Sequence, residues 1–381
     1  MKKLFKKMLS RDDVNTGRQI EIDIAKAVCI IFMIVCHAFE QIPNIEGSAG
    51  VFEFIEMRIF NTLLGATLFM FCMGIGLAYS RNNDPKKIIL RGATLLLIAF
   101  ALSFIRLPFF AMIINAIFPG SIPWIDIIIE MLANDILYFA GLAMMLFGLL
   151  KLLKFKWWGI LIVGFALSIA GNFLNNIEIP NNIGNALVGW FIGTKTTMLE
   201  GYITTSYFPL FNWFIMVASG YSFGCLYKKV QDKKLFFLVF GIISALLVGA
   251  YIGICLPNKY LFFQEDFICT YHITTIDAIA SMFAAVTVFA VYYALSFILP
   301  KFLLSGASHL SRYINTVYCI QWFFYGNATI IYMVFFPDVV HGPWIIILWA
   351  IIVAIISITL GWLYKTVLPR YIKKRKEAKA A

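Results

Sequence analysis

Long apolar runs in series constrain this chain more than any other feature. Stretches of about 18–24 mostly apolar residues recur from residue 22 to residue 366, and a run of that length crosses the hydrocarbon core of a bilayer as one helix. A helix satisfies its own backbone hydrogen bonds, so many such runs mean a bundle of membrane helices. The period-two alternation of a membrane β-barrel is absent. Composition agrees: 61% of the 381 residues are apolar, only 13% are charged, and the mean hydropathy is +0.85. A soluble domain carries about a quarter charged residues, so no soluble fold accommodates this chain. The expected class is all-α, a polytopic membrane helix bundle.

The runs fall at about 22–42, 60–80, 90–110, 135–153, 157–175, 206–227, 235–256, 275–298, 313–336 and 344–366. The stretch 107–133 is broken by Pro108, Pro119 and Pro123 and reads as a re-entrant or interfacial piece or an eleventh span. The net charge of +11 is a topology signal and not a sign of nucleic-acid binding. With the N-terminus in the cytoplasm and ten spans, only Arg58, Arg106, Lys195 and Lys259 of the 31 basic residues fall outside. An odd count would strand one basic end on the wrong face, so ten spans with both termini cytoplasmic are expected. The division is then a basic N-terminal segment 1–21, a membrane domain 22–366 and a basic tail 367–381. MKKLFKKMLSRDD has no apolar segment directly behind it and no small-residue cleavage site, so the first span reads as a retained signal anchor in a multi-pass cell-membrane protein. The seven cysteines sit mostly inside apolar runs with no CxxC or Cys/His spacing, which reads as inert buried thiols and no metal site.

The first span, EIDIAKAVCIIFMIVCHAFE, carries the chemistry. Asp23, Lys26 and His37 are ionisable groups in or near an apolar helix, where such groups usually face a bundle interior or a wet cavity. Lys26 and His37 are eleven residues apart, which places them on nearly one face and roughly 16 Å apart along the axis. Asp23 lies one turn before Lys26 and can pair with it. The plain alternatives are a Lys26 that snorkels to the inner headgroups and an interfacial His37. The stripe suits a cytoplasmic acyl-CoA: a lysine for the phosphates, a pantetheine arm of comparable reach, and an imidazole as general base on an acceptor met from the outer side.

At this point the sequence resembles the transmembrane acyltransferase superfamily, which includes the family-3 membrane acyltransferases and the heparan-α-glucosaminide N-acetyltransferase-like proteins. The family-3 pattern is a basic residue, ten residues, then His in the first helix; Lys26 and His37 match it, with Lys in place of the commoner Arg, and EIDIAK is similar to the entry motif. LLGATLFMFCMGIGLAYS (63–80), DILYFAGLAMML (135–146) and SYFPLFNWFIMVASGYSFG (206–224) resemble later segments. SRYINTVYCIQWFF (311–324) is similar to a late helix that often has His where this chain has Gln321. The arginines that many family-3 members carry after the second helix are represented by Lys86, Lys87 and Arg91. The resemblance implies acetyl-CoA or another acyl-CoA as donor and a carbohydrate, cell-envelope glycan or lipid-linked group as acceptor. It implies His37 and Asp23 in catalysis, with His37 as general base or as a transient acyl carrier, and Lys26 on the CoA side.

Several other residues are weighed beside these. Lys86, Lys87, Arg91 and Arg312 lie on the inner side and could meet CoA phosphates; ordinary positive-inside charge explains them as well. Acceptor-side candidates are Asp135, His272, Asp277 and Arg58. Helix capping explains Asp135 equally, and a solvated loop end is the plain reading of His272 and Asp277. Arg58 and Arg106 are expected to pair with outer carboxylates. Gln321 is expected to hydrogen-bond between helices, and His341 to be structural. A transporter or flippase using the same ionisable stripe is the competing class; binding of acyl-CoA discriminates the two. Lipid-facing and partner-facing surfaces look alike in sequence, so a homo-oligomer stays open.

Overall fold

The computed structural model describes residues 2–371 except 43–44, 107, 196, 200–201, 205, 264–270 and 337. Cys269, the acidic pair Glu265 and Asp266, and the basic tail beyond 371 lie outside the described residues, as does the side chain of Arg58. The chain runs through helices α1 (Lys2–Met8), α2 (Ile20–Gln41), α3 (Ala66–Tyr79, entered through a π-helical stretch Phe54–Gly65), α4 (Pro85–Arg106), α5 (Pro108–Ile117), α6 (Trp124–Leu132), α7 (Ile136–Leu152), α8 (Trp157–Phe173) and α9 (Asn182–Val188). A short antiparallel hairpin, β1 (Thr197–Leu199) and β2 (Tyr202–Thr204), follows, with Met198 opposite Ile203. Then come α10 (Leu210–Tyr227), α11 (Lys233–Cys255), α12 (Thr275–Leu295), α13 (Lys301–Leu310), α14 (Ile314–Phe335) and α15 (Pro343–Trp362).

Each of the ten apolar segments of the sequence holds a helix. Among the described residues, six are long and apolar enough to cross a membrane by themselves: those at Ile20–Gln41, Ile59–Tyr79, Pro85–Ile117, Lys233–Cys255, Thr275–Leu295 and Pro343–Tyr371. The pair α6 and α7, bent by 45°, makes a seventh if counted as one span. Their outward faces are as apolar as their inward ones: Leu97 is 70% exposed, Leu246 69% and Ile355 61%. Such faces are stable only in lipid, so this is a multi-pass membrane protein. In the proline-broken stretch, α5 and α6 are each about 15 Å long or less, too short to cross alone. Asn115 closes the turn between them, its side chain donating to the Ile122 carbonyl at 2.7 Å and accepting from the Ile122 amide at 2.9 Å.

The chain packs as two units. The first holds residues 1–19 and 62–294. Its closest helix pairs are α3 with α10, α4 with α7, and α8 with α10. Lipid gives no hydrophobic drive between helices, so small residues that let backbones approach are what hold them. A Cβ on Gly220 would lie 2.0 Å from the Phe71 carbonyl oxygen, and one on Gly92 would lie 2.7 Å from the Gly141 oxygen. Gly164 abuts Ala218 and Gly171 abuts Asn212. The contacts run Phe71 to Gly220 and Ala78 to Gly224, so α3 and α10 are parallel. They run Gly92 to Met145 and Ile89 to Gly148, so α4 and α7 are antiparallel, as are α8 and α10. The N-terminal segment is bound to the loop after α10: Leu9 bridges Val230, the Ser10 amide donates to the Lys229 carbonyl at 2.8 Å, and Lys233 bonds the Gln19 side chain.

The second unit holds residues 20–61 and 295–381. Helices α13, α14 and α15 pack on α2. Asp23 meets Ser308 and Ser311, Ile34 meets Tyr325, and Gln41 meets Thr329, so α14 runs parallel to α2. Ile45 bridges His341 beside the start of α15, and Gly361 near its end packs on Val317 and Tyr313. Helix α15 is therefore antiparallel to both.

Candidate active site

Within the second unit, Asp23, Lys26, His37 and Arg312 share one structure. Asp23 is buried in the first turn of α2, where a carboxylate also complements the helix dipole. Its Oδ2 accepts from Ser308 Oγ at 2.9 Å and its Oδ1 from Ser311 Oγ at 2.6 Å. This corrects the expected Asp23–Lys26 pair: among the described residues no ion pair within 4 Å joins them, and the carboxylate instead anchors the α13–α14 junction. The consequence is that Arg312, exposed and adjacent to Ser311, is carried to the same end of α2 as half-buried Lys26.

His37 lies one turn from the other end of α2, about 16 Å from the level of Lys26. Its ring stacks on Trp322, with centroids 4.4 Å apart and planes tilted by 38°, and meets Tyr318 edge-on at 6.1 Å. Two hydrogen bonds bracket it: Tyr325 Oη donates to the Ile34 carbonyl at 3.0 Å and Thr329 Oγ1 to the Gln41 carbonyl at 2.7 Å. These bonds fix the register of α14 on α2 and so the two rings on the imidazole. The serines, Tyr318 and Trp322 were not singled out from sequence; their signal is a 311–324 segment rich in hydroxyl and aromatic residues, whose side chains meet α2 only in the fold. Gln321 departs from expectation: it is fully buried and has no hydrogen-bond partner among the described residues.

The remaining candidates belong to the first unit. Lys86, Lys87 and Arg91 are exposed in the first two turns of α4. Asp135 caps α7, accepting from the Ile136 amide at 2.5 Å, and pairs with buried Arg106 at 3.5 Å. Arg106 also pairs with Glu130 at 2.6 Å, so it takes the carboxylate partners expected of it. His272 and Asp277 are not a solvated loop end; both are buried. Asp277 forms a capping box with Thr274: the Asp277 amide donates to Thr274 Oγ1 at 3.2 Å, and the Thr274 amide donates to Asp277 Oδ2 at 2.9 Å. Its Oδ1 accepts from Tyr251 Oη at 2.5 Å and the Phe262 amide at 3.3 Å. His272 Nε2 lies 2.8 Å from the Ser206 carbonyl oxygen. These bonds tie the start of α12 to the segment before it, and His272 to the segment before α10. His341 is buried edge-on against Tyr332 at 4.7 Å, as a structural residue would be.

The family profile described as "Heparan-alpha-glucosaminide N-acetyltransferase, catalytic" matches residues 18–238, more than half of the chain. The chain belongs to this family. No curated protein and no solved structure matches. Membership in the heparan-α-glucosaminide N-acetyltransferase family makes this an acetyltransferase-type membrane enzyme. The matched stretch contains Asp23, Lys26 and His37 together with most of the first unit. It ends before α13 and α14, so the side chains that hold Asp23 and stack on His37 come from a part of the chain the profile does not reach.

Proposed function

We propose that this chain transfers an acetyl group from cytoplasmic acetyl-CoA to an acceptor on the far side of the membrane, a carbohydrate, cell-envelope glycan or lipid-linked group. The observation that carries the reading is the α2 stripe: a cation cluster at one end and an aromatic-clamped imidazole at the other, separated by about the reach of a pantetheine arm. Lys26 and Arg312 meet the CoA phosphates as charges. His37 removes the proton from the acceptor hydroxyl or amine as it attacks the thioester carbon. Asp23, held by Ser308 and Ser311, keeps the cation end of α2 against α13. Lys86, Lys87 and Arg91 are a further inner basic group of the same reading. Ten crossings with both termini in the cytoplasm complete it, since Lys26 then faces the donor and His37 lies toward the acceptor. The antiparallel course of α2 and α15 supports an even count.

The test is turnover of labelled acetyl-CoA by purified protein in detergent or proteoliposomes. His37→Ala should abolish transfer and leave expression and membrane insertion intact. Near-normal transfer by that variant would rule out the mechanism, and a wild-type protein that neither binds nor consumes acyl-CoA would turn the reading toward a transporter.

A further inference from the structure

Gln321 is 0% exposed and neither its Oε1 nor its Nε2 has a hydrogen-bond partner among the described residues. The same holds for Ser357 Oγ on α15, also 0% exposed. A buried amide left unpaired is costly, and replacing it by an apolar group of the same shape is often neutral or favourable. Its place in the helix says where it points. Tyr318, Gln321, Trp322 and Tyr325 follow the i, i+3, i+4, i+7 rhythm that makes one face of α14. Tyr318 and Trp322 on that face touch His37, and Tyr325 bonds the Ile34 carbonyl one turn before it. Gln321 is at the edge of this face, on the side of Val317, which packs on α15. Ser357 lies across from it: Gly361 of antiparallel α15 packs on Val317, and four residues back along α15 and forward along α14 bring Ser357 and Gln321 to one level.

We propose that Gln321, with Ser357, supplies the hydrogen-bond donors that hold the acyl carbonyl oxygen beside His37. The proposal rests on the acetyltransferase reading above and adds the group that stabilises charge in the transfer step. The acceptor X–H attacks the thioester carbon and its proton passes to the His37 imidazole. The carbonyl π pair moves onto oxygen, where Gln321 Nε2–H and Ser357 Oγ–H meet it. The pair returns, the C–S bond breaks, and the thiolate takes the proton from the imidazolium. The products are acetyl-X and free CoA thiol. A neutral amide suits this role because it donates without titrating, and donors already aimed at the oxyanion cost no reorganisation during reaction.

The experiment compares wild type, His37→Ala, Gln321→Met and Ser357→Ala in acetyl-CoA turnover and thermal unfolding. Methionine keeps the length and volume of Gln321 without its donors. Gln321→Met should lose about 10²–10³ in kcat, with unchanged KM for acetyl-CoA and equal or higher thermal stability. Ser357→Ala, which removes one hydroxyl from a helix, should lose about tenfold in kcat. Full kcat in a stable Gln321→Met protein overturns the proposal, as does joint loss of stability and of KM, which would mark a structural amide. Should Gln321→Met not fold, unchanged kcat in Ser357→Ala overturns it. If wild type consumes acetyl-CoA and His37→Ala does not, those failures belong to this inference alone; if wild type is inert, the acetyltransferase reading falls first.

Discussion

The close crossing of α3 and α10 yields a matched pair of substitutions two residues apart on one helix. A Cβ on Gly74 would stand 2.2 Å from the Val217 carbonyl oxygen and 2.6 Å from the Tyr221 amide nitrogen, both backbone atoms of α10. Comfortable separations between non-bonded carbons are about 3.5–4.0 Å, so the helices would have to part by roughly 1 Å. Neither obstacle is a side chain that can rotate away, which puts Gly74→Ala near the upper end of the overpacking range, about 3 kcal/mol. Gly76 faces outward and a Cβ there meets nothing within 4 Å. Gly76→Ala should therefore gain helix propensity, about 1 kcal/mol at most. At roughly 2–4 °C per kcal/mol for a unit of this size, the two variants should melt about 8–16 °C apart. Thermal unfolding of the purified proteins in one detergent, at one scan rate, reads the difference. Melting of Gly74→Ala within about 2 °C of Gly76→Ala would refute the idea that glycine-mediated backbone contact holds this pair.

Two further predictions are sharper in sign than in size. Arg106→Leu leaves Glu130 and Asp135 without their cation in a site where the arginine side chain is 8% exposed; it should cost about 3 kcal/mol, and an unchanged melting temperature would mean that water already screens the pair. Reporters fused to either end of the chain should both be active only in the cytoplasm; activity of one fusion on each side of the membrane would overturn the even number of crossings.

The helices were legible in the sequence because lipid imposes one rule, continuous apolarity over the length of a span, and each of the ten segments obeys it closely enough to place a helix. Charge roles were legible where partners are local: Asp135 capping α7 follows from its place before an apolar run. They were lost where the partner is distant in sequence. Asp23 sits three residues from Lys26, the nearest cation on its helix, yet it bonds Ser308 and Ser311, nearly three hundred residues on. His272 and Asp277 were hidden for a different reason. An acidic, polar stretch precedes them and reads as solvated, while burial of Asp277 depends on Tyr251 and the Phe262 amide reaching it from elsewhere. His37 could be picked out as an ionisable group in an apolar helix, but not its clamp, since aromatic residues in a membrane helix carry no mark of what they touch.

Helix directions inside each unit bear on the crossings more strongly than helix length does. Among the described residues six helices are long and apolar enough to cross a membrane by themselves, and α10 and α14 are not among them. Yet α10 runs parallel to α3 in backbone contact, and α14 runs parallel to α2 along the bonds from Asp23 to Gln41. The proposed count takes a helix packed lengthwise on a crossing partner to cross with it. Parallel neighbours need an odd number of crossings between them. Between α3 and α10 lie α4, α7 and α8; α7 is antiparallel to α4 and α8 antiparallel to α10, and all three together meet the condition. Between α2 and α14 lie α3, α4, α7, α8, α10, α11 and α12, seven and again odd. Antiparallel α15 runs back toward the end of the unit where α2 begins, as an even number of crossings requires. Two pairs, one in each unit, thus bear on whether the number of crossings is odd or even, a parity that the proposed ten crossings satisfy for a reason that owes nothing to charge.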